Sequence, residues 1–531
     1  MRWVDRLRHR LACWLVGRFR VPRDAVRWAC QRYAGRLALV TPSGQWTFRA
    51  LHERSLRLAQ ALQSAGLQPG ELLLYQLHDE HELVELRLAA WECGAVAACL
   101  PDFADAAAAR ALLGCVQPRV VITSPDLPLA AAAPPPGARR VLTGPDYEAW
   151  LAAHPPLPAA VPVAPDDVAV LVTTSGTTGA PKLMASTHGA QMRSLQMLLA
   201  NADLSGPAAP AGPCLTAIPL CGAGSGMLFP ALLSGSPLVI PPSRDTAAWV
   251  DCAARHGVTR LFVTPSQLID LLELPDAPRR LAAVRQLVYG TESMPVPKLT
   301  EALQRFGPIL QQGYGSAEVL PPLALMSAPA HAGALAGQPR RLGSCGRVVA
   351  GVELRIVDDQ GRDLPAGEVG AVLVRSPTRF AGYWGAHGLV PAGDDWLAMG
   401  DLGRVDADGD LFILGRQADL VQVQRRGVLL PVYPREVEDA AHRHPAVREA
   451  VLVQPPAADG PGPVWLVVSL RRSAGGRGAA DWAAELTGHL RPLLPAHALP
   501  DRVRVLEALP RSPLGKVLRR EVRDALAAHR Y

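Results

Sequence analysis

Apolar positions recur with two different periods along the chain, and each period predicts a different kind of element. In residues 51–65 the apolar side chains repeat at helical spacing, and Gly66 with a following Pro-Gly pair marks an end, which predicts an amphipathic helix. Residues 71–77 and 168–172 are short apolar runs, which predicts strands. Helical and strand patterns thus alternate in the first part of the chain, as they do in an α/β domain.

The pattern changes after Gly351. Short strand-like runs then alternate with Asp/Gly turns such as residues 406–409, which predicts a β-rich subdomain. Past Gly415 a mixed helix and strand pattern returns, and it ends in a basic helix that starts at Val517. The Ala/Pro-rich residues 125–138 predict a surface loop.

Composition narrows the class of protein. A chain of 531 residues is too long for one core, so two or more domains are expected. Apolar residues make up 49% and charged residues 19%, which is typical of a soluble folded protein. No apolar stretch reaches the roughly 18 residues of a membrane-spanning helix. The nine cysteines include no Cys-x-x-Cys pair, which predicts a reduced, cytoplasmic setting without a disulfide framework or zinc site.

The net charge of +6 is concentrated in the first twenty residues, which contain six arginines and one aspartate. The rest of the chain is nearly neutral, so we expect no nucleic-acid partner. Apolar side chains between Trp3 and Leu15 recur at helical spacing, and we expect a helix that packs on its own domain. The alternative for residues 1–20 is peripheral docking to a membrane or to a partner.

Lysine is almost absent, since Lys182, Lys298 and Lys516 are the only three lysines among 54 basic side chains. A position that keeps lysine is therefore a candidate for a task that the planar guanidinium of arginine cannot perform. Lys298 follows a proline and has no motif around it, so we expect a solvated surface residue.

The stretch 173–182, which ends in Lys182, consists mainly of Ser, Thr and Gly and follows a predicted strand. Its hydroxyls and glycine amides can converge on phosphate oxygens. It is not a Walker A loop, because no Gly-Lys-Ser/Thr closes it. Taken alone, it is also compatible with an ordinary turn.

Further motifs follow this stretch. In chain order they are Tyr289-Gly290-Thr291-Glu292, Gly313-Tyr314-Gly315-Ser316-Ala317-Glu318, Gly343-Ser344-Cys345-Gly346, Gly367-Glu368-Val369-Gly370, Gly400-Asp401-Leu402-Gly403, Gly415-Arg416 and Leu514-Gly515-Lys516. This series resembles the motifs of the adenylate-forming superfamily, which comprises acyl- and aryl-CoA synthetases, the adenylation domains of nonribosomal peptide synthetases, and luciferases. The resemblance extends from about residue 38 to about residue 522.

The resemblance implies an α/β (multi-domain α+β) fold. A large N-terminal domain of α/β subdomains plus a β-rich subdomain is followed by a small, mobile C-terminal α+β domain. The implied boundaries are a basic amphipathic extension at 1–25, the AMP-binding domain at 26–415, and the small domain with the catalytic lysine at 416–531.

The resemblance also implies that ATP and Mg²⁺ are bound. The implied ATP contacts are Thr174, Ser175, Gly176, Thr177, Thr178, Gly179 and Lys182 in the phosphate loop, Gly290, Thr291 and Glu292 beside adenine, Tyr314, Gly315, Ser316 and Ala317 in the signature motif, and Asp401 and Arg416 near the ribose. Glu318 is the implied magnesium ligand, and Lys516, Glu318 and Lys182 are the implied catalytic residues. In isolation, Lys516 would instead be a surface ion-pair lysine and Asp401 a turn residue.

These roles agree with the chemistry of carboxylate activation. The reaction brings two anions together, the substrate carboxylate and the α-phosphate, and their charge must be stabilised in place. The slim ammonium of Lys516 can reach between both anions. Glu318 offers a hard oxygen to magnesium, and Asp401 can accept hydrogen bonds from two ribose hydroxyls.

Some positions depart from the superfamily pattern. Ala317 and Met399 replace common threonines, and Ala418 occupies a hinge position that usually carries Asp or Lys. The segment 416–438 is also a few residues longer than usual. We expect these departures to affect rotation of the C-terminal domain rather than the first half-reaction.

The substrate segment 219–227 contains no acidic residue that could pair with an α-ammonium group, which disfavours an amino acid. The implied pocket is roomy and uncharged, as suits an aryl or aliphatic acyl group. Its glycines could alternatively serve close helix packing. The implied lining residues are Cys221, Gly222, Ser225, Met227, Gly313, Val319 and Leu320.

The sequence therefore predicts ATP-dependent activation of an aryl or aliphatic carboxylic acid to an acyl-adenylate. Few residues follow Lys516, so the acceptor is expected to be CoA or the phosphopantetheine of a separate acyl carrier protein. Two alternatives remain, a stand-alone amino-acid adenylation protein and a non-catalytic nucleotide-binding relative.

Overall fold

The computed structural model describes most of the chain, namely residues 16–159, 161–174, 182–201, 212–385, 388–393, 395–425, 428–457, 460–474, 477–512, 515–528 and 530. Helices and strands alternate through the first half of these residues, and a smaller α+β unit follows at the C-terminal end, which confirms the predicted fold class. Within the described ranges, every helix is too short or too polar to cross a bilayer.

The first sheet has eight strands and is parallel over its central part. Leu72–Gln76 is buried along its whole length, because Leu73 and Tyr75 pack into one core while Leu72 and Leu74 pack into another. In spatial order the strands are Gly388–Pro391, Gly382–Gly385, Lys182–Thr187, Val168–Thr174, Val96–Cys99, Leu72–Gln76, Pro118–Thr123 and Arg139–Leu142.

The second sheet has nine strands and holds the ends of two motif-bearing strands side by side. Gly290 closes one of these strands and lies directly opposite Gly313 of the next. In spatial order the strands are Arg347–Val348, Ala324–Met326, Leu310–Tyr314, Gln286–Gly290, Arg260–Val263, Cys214–Thr216, Leu238–Val239, Leu37–Thr41 and Gly44–Thr47.

Helices pack against both sheets. The helix predicted at 51–65 spans Phe48–Ser64, and it begins earlier because Thr47 Oγ1 accepts a hydrogen bond from Ala50 N at 3.1 Å. The other helices before the C-terminal unit are Pro22–Arg32, His81–Cys93, Ala106–Cys115, Pro128–Ala131, Pro145–Ala152, His188–Ala200, Ser225–Leu233, Thr246–Arg255, Pro265–Leu272, Ala277–Arg280, Val296–Phe306, Ala328–Gly337 and the 3₁₀ turn Pro339–Gly343.

The β-rich region predicted after Gly351 is a four-stranded antiparallel sheet. Its strands are Glu353–Val357, Gly370–Arg375, Leu397–Val405 and Leu411–Arg416. The C-terminal unit contains the hairpin Val421–Arg425 and Val428–Val432, the sheet Val447–Val453, Trp465–Leu470 and Arg502–Leu506, the short pair Pro456–Ala457 and Gly460–Pro461, the helices Pro434–His442, Ala479–Leu490 and Arg519–Ala527, and the 3₁₀ turns Gln417–Asp419, Arg472–Ala474 and Ala496–Ala498.

The N-terminal end of the described chain packs on the large domain. Val26, Ala29 and Cys30 of the helix Pro22–Arg32 are buried in the same core as Leu73. Most of the basic extension, residues 1–15, lies outside the described residues, so both the expected packing of a helix there and the alternative of peripheral docking stay predictions.

The expectation that Lys298 is solvated is wrong. Its side chain is 2% exposed, and Nζ donates a hydrogen bond to the carbonyl of Val447 in the C-terminal unit at 2.6 Å. Burial and, to a smaller extent, the neighbouring charge of Arg471 lower the pKa of Lys298 to about 8, although Glu301 opposes the effect. The helix Val296–Phe306 forms part of the contact between the two units, which the local sequence does not reveal.

Candidate active site

A polar cluster lies where the second sheet meets the four-stranded sheet. Tyr314 Oη donates to Asp401 Oδ2 at 2.6 Å, and Arg416 Nε lies 3.2 Å from Asp401 Oδ1. Burial raises the pKa of Asp401, and Arg416 and Tyr314 oppose that rise. Each carboxylate oxygen keeps a further lone pair, so Asp401 can still accept hydrogen bonds from ribose hydroxyls.

At the strand end at Gly290, the backbones of two neighbouring strands lie very close together. A Cβ atom on Gly290 would lie 2.6 Å from the carbonyl oxygen of Gly313, so only glycine fits at this strand pair. Thr291 follows with φ at +81°, a left-handed conformation that is rare for a β-branched residue and is typically retained at functional sites.

Lys516 reaches this strand end from the C-terminal unit. Its Nζ donates to the carbonyl oxygen of Thr291 at 2.8 Å, across 225 residues of sequence. Burial lowers the pKa of Lys516, the Glu292 carboxylate raises it, and Arg416 lowers it. The structure thus brings the predicted catalytic lysine to the predicted adenine strand.

Glu292 anchors the same strand end to a neighbouring helix. Its Oε1 accepts a hydrogen bond from Ser266 N at 3.0 Å, at the first turn of Pro265–Leu272. Burial raises the pKa of Glu292, whereas the hydrogen bonds from Ser266 and the charge of Lys516 lower it.

Glu318 lies beside the polar cluster. Its backbone oxygen accepts from Phe380 N at 2.8 Å, and its negative charge contributes to the raised pKa of Asp401. Within the described chain, its carboxylate receives no hydrogen bond and forms no ion pair. Two neighbouring carboxylates, one of them without a cationic partner, are the environment that a hard cation stabilises.

The signature turn before Glu318 is close-packed. Ser316 N donates to Val319 O at 3.2 Å, and Val319 N donates to Ser316 Oγ at 3.3 Å. A Cβ atom on Gly315 would lie 2.8 Å from Pro321 Cβ, and Ala317 is half-buried in the turn.

The predicted phosphate loop lies in sequence between two antiparallel strands of the first sheet. Thr174 ends one strand and pairs with Lys182, which begins the next. The loop residues 175–181 lie outside the described residues, and so do the side chains of Thr174 and Lys182. The assignment to ATP therefore stays a prediction for all seven residues of this loop, Thr174, Ser175, Gly176, Thr177, Thr178, Gly179 and Lys182.

The substrate segment is fixed at Leu220 by two charged side chains that the sequence did not single out. Leu220 N donates to Asp79 Oδ1 at 3.0 Å, and Arg87 Nη1 donates to Leu220 O at 3.2 Å. Burial raises the pKa of Asp79 to about 6, although Arg244 opposes the rise. Both residues come from a segment about 140 residues earlier, so no local signal points to them.

The predicted pocket glycines differ in the space around them. A Cβ atom on Gly224 would lie 2.1 Å from Ile218 O, so this glycine serves close packing. Gly222 is exposed, and a Cβ atom there would meet nothing nearer than Pro219 O at 3.9 Å, so this position is open.

The other predicted pocket residues differ in burial. Cys221, Ser225, Gly313 and Leu320 are half-buried. Met227 and Val319 are buried in hydrophobic cores.

Comparisons with known proteins agree with this geometry. The sequence model of the AMP-binding enzyme family matches residues 26–384, and that of the AMP-binding enzyme C-terminal domain matches residues 436–516. The chain is 32% identical over 365 residues to a medium/long-chain-fatty-acid–CoA ligase of Mycobacterium tuberculosis. The aligned region covers 67% of this chain and 61% of that relative. It is 31% identical over 487 residues to a sulfoacetate–CoA ligase of Cupriavidus necator, with 89% and 91% coverage.

Solved structures show the same relationship. The anthranilate CoA ligase in complex with anthranoyl-AMP matches with a TM-score of 0.84 and 25% identity over 96% of this chain and 98% of that one. The amide bond synthetase McbA from Marinactinospora thermotolerans matches with a TM-score of 0.81 and 27% identity, with 95% and 99% coverage. The chain belongs to the AMP-binding enzyme family, within the adenylate-forming superfamily.

Proposed function

We propose that this chain is an ATP-dependent ligase that activates an aryl or aliphatic carboxylic acid as its adenylate and then transfers the acyl group to a thiol. The observation that carries the proposal is the position of Lys516, whose Nζ lies 2.8 Å from Thr291 O at the predicted adenine strand. A non-catalytic nucleotide-binding protein would not require a lysine from a second unit at this place.

The nucleotide would be oriented by the polar cluster. Tyr314 offers an aromatic face to adenine, and Asp401 offers its remaining lone pairs to the ribose hydroxyls. Arg416, which lies 3.2 Å from Asp401, favours the charged form of that carboxylate against the cost of burial. These contacts would fix the α-phosphate relative to Lys516.

Lys516 would stabilise the charge that develops when the carboxylate attacks the α-phosphate. Its ammonium has three donors, so it can exchange the Thr291 carbonyl for oxygens of both anions. The nearby Glu292 favours the charged form of Lys516 against the cost of burial. Pyrophosphate leaves, and the adenylate remains in the site.

Magnesium fits the environment of Glu318. The carboxylate has no described hydrogen-bond donor and lies near Asp401, so a divalent cation would relieve the repulsion. When bound, Mg²⁺ screens the phosphate charge.

The substrate is proposed to be an acid without an α-ammonium group. A Cβ atom on the exposed Gly222 would meet nothing nearer than 3.9 Å, and residues 219–227 carry no acidic side chain. Relatives named for fatty acids, ferulate and anthranilate support this class. The thiol acceptor is CoA or a carrier protein, as the names of the fatty acid–CoA ligase and of a fatty acid–[acyl-carrier-protein] ligase indicate for those relatives.

ATP–pyrophosphate exchange tests the first half-reaction. Benzoate, a cinnamate, octanoate and a set of α-amino acids are supplied with Mg²⁺ and ATP. Exchange with an aryl or aliphatic acid supports the proposal. Exchange only with amino acids supports the alternative of a stand-alone amino-acid adenylation protein. No exchange with any acid favours a non-catalytic nucleotide-binding protein.

Competition among acceptors tests the second half-reaction. The best acid is offered with CoA, a holo-carrier protein and an amine, since one structural neighbour is named an amide bond synthetase. Thioester on CoA or on the carrier supports the proposal, whereas amide as the main product contradicts it.

A further inference from the structure

Lys516 is held in a compact turn. Ser512 N donates to Lys516 O at 2.7 Å, and Gly515 adopts φ at +81°, which favours glycine. Arg511 and Val517 face each other as an antiparallel bridge across the base of the turn. The direction of the lysine side chain is therefore set by how this turn is fixed.

Arg511 fixes the turn from inside. Its Nη1 donates to the carbonyl oxygen of Gly515 at 3.1 Å, immediately before Lys516. Its Nη2 lies 2.7 Å from Glu449 Oε1, on the strand Val447–Val453 of the same unit. Glu449 is buried and also accepts from Ser469 Oγ at 3.3 Å, so this anchor is itself held in place.

The same guanidinium contacts the large domain. Arg511 Nη2 lies 3.4 Å from Asp270 Oδ1, on the helix Pro265–Leu272. Asp270 also pairs with Arg448 at 2.6 Å, but the described contacts of Arg448 do not include the lysine turn. Asp270 thus forms ion pairs with two arginines, and of these only Arg511 also contacts the turn that carries Lys516.

The helix that carries Asp270 also supports the target of the lysine. Ser266 N, at its first turn, donates to Glu292, the residue after Thr291. The base of the Lys516 turn and the strand end that its Nζ contacts are therefore both tied to one short helix. A shift of that helix would move both together and preserve their distance.

We propose that Arg511 and Asp270 are positioning residues for Lys516, which set the place of its ammonium in the first half-reaction. The role rests on the proposed function, because it concerns the lysine that stabilises adenylate formation. Lysine at position 511 could not replace arginine, because one ammonium cannot contact Gly515, Glu449 and Asp270 in a fixed fork.

The test compares Arg511→Gln with Arg448→Gln in ATP–pyrophosphate exchange. Misplacing a catalytic group by about 1 Å can cost about 10²-fold in rate, so we expect Arg511→Gln to lower kcat by at least about tenfold while the KM for ATP stays within about twofold. Arg448→Gln removes the shorter of the two ion pairs with Asp270, and we expect a clearly smaller loss of kcat than in Arg511→Gln. In Arg511→Gln/Asp270→Asn, kcat should fall below that of Arg511→Gln by no more than the loss seen in Arg448→Gln, because Asp270→Asn then weakens only the ion pair with Arg448.

A second measurement needs no substrate. Because the chain has only three lysines, protein labelled with ¹³C at lysine Cε gives three signals that can be assigned by substitution. Arg511→Gln should move the signal of Lys516 towards that of a free lysine and leave that of Lys298 in place. Arg448→Gln should leave the signal of Lys516 nearly unchanged.

The outcomes separate the two proposals. If the wild type exchanges no acid but the Lys516 signal responds to Arg511→Gln alone, Arg511 places the ammonium of Lys516 as proposed, whereas the proposed function, and with it the role in the first half-reaction, fails. Equal losses for Arg511→Gln and Arg448→Gln would show that the contact only holds the two units together. Wild-type kcat and an unmoved Lys516 signal in Arg511→Gln would overturn the positioning role.

Discussion

Lys516 donates from Nζ to the carbonyl of Thr291, whose φ of +81° turns the chain at the end of the predicted adenine strand. A guanidinium is wider and planar, and it cannot rotate its donors between two anions as an ammonium can. We therefore expect both Lys516→Arg and Lys516→Ala to lower ATP–pyrophosphate exchange by at least about 10²-fold, with ATP binding largely retained. Exchange kinetics and a nucleotide-binding titration check this, and near-normal exchange in Lys516→Arg would show that charge alone suffices.

The pocket glycines give a matched pair of substitutions. Gly222→Ala adds a methyl group to open space, so we expect unchanged thermal stability and a higher KM for the bulkier acids. Gly224→Ala would place its Cβ 2.1 Å from Ile218 O, and we expect a loss of about 1–3 kcal/mol in unfolding free energy. Thermal melts and exchange over acids of increasing size measure both. Equal loss of stability in the two variants would contradict the assignment of Gly222 to open space.

Local motifs were sufficient to find the residues that come together around Asp401, because Tyr314, Asp401 and Arg416 each lie in a short recognisable stretch. The same reasoning missed Asp79 and Arg511, although Arg511 lies only five residues before Lys516. Their importance depends on partners such as Asp270, 241 residues away, which no local pattern specifies.

At the scale of elements, periodicity predicted the regular parts of the fold. The mostly apolar run at 71–77 became the buried strand Leu72–Gln76, and the turn at 406–409 joins two antiparallel strands. The Ala/Pro-rich residues 125–138 contain a short helix, Pro128–Ala131, which a compositional argument could not predict because Pro tolerates the first helical turn. Contacts between elements from different units could not be predicted at all.

Lys298 lies in a contact between two elements, and the strength of this contact should depend on pH. The pKa of Lys298 is lowered from 10.5 to about 8 by burial between the helix Val296–Phe306 and Val447. Below about pH 8 the ammonium is charged whether or not the two units are docked, so the full cost of burying it applies. Between pH 8 and 10.5 only the docked form has lost the proton, so docking strengthens as the pH rises.

We therefore expect the stability of the wild type, relative to Lys298→Met, to increase from pH 8 to pH 10. Methionine has a similar length and does not titrate, so other groups such as Glu301 and Arg471 contribute equally to both proteins and cancel in the difference. Thermal melts of both proteins across this range measure it. A pH-independent difference would show that Lys298 keeps its ordinary pKa.

At the scale of the whole molecule, the described ion pairs between the two units place the negative charges on the large domain and the positive charges on the C-terminal unit. The large domain supplies the carboxylates of Asp270, Glu273 and Glu301, and the C-terminal unit supplies the guanidinium groups of Arg448 and Arg471. These pairs are partly exposed, so salt screens them more strongly than it would buried pairs. The position of Lys516 in the site should therefore depend on ionic strength.

We expect ATP–pyrophosphate exchange at saturating ATP and acid to fall by roughly severalfold between 0.1 M and 1 M NaCl, where the Debye length shrinks from about 10 Å to about 3 Å. Saturating substrates reduce the contribution of nucleotide affinity to the measurement. In Arg448→Gln/Arg471→Gln most of these ion pairs are already lost, so its exchange should be slower at low salt and nearly independent of salt. If the wild type and this variant fall in parallel, salt acts on the nucleotide site rather than on the contact between the units.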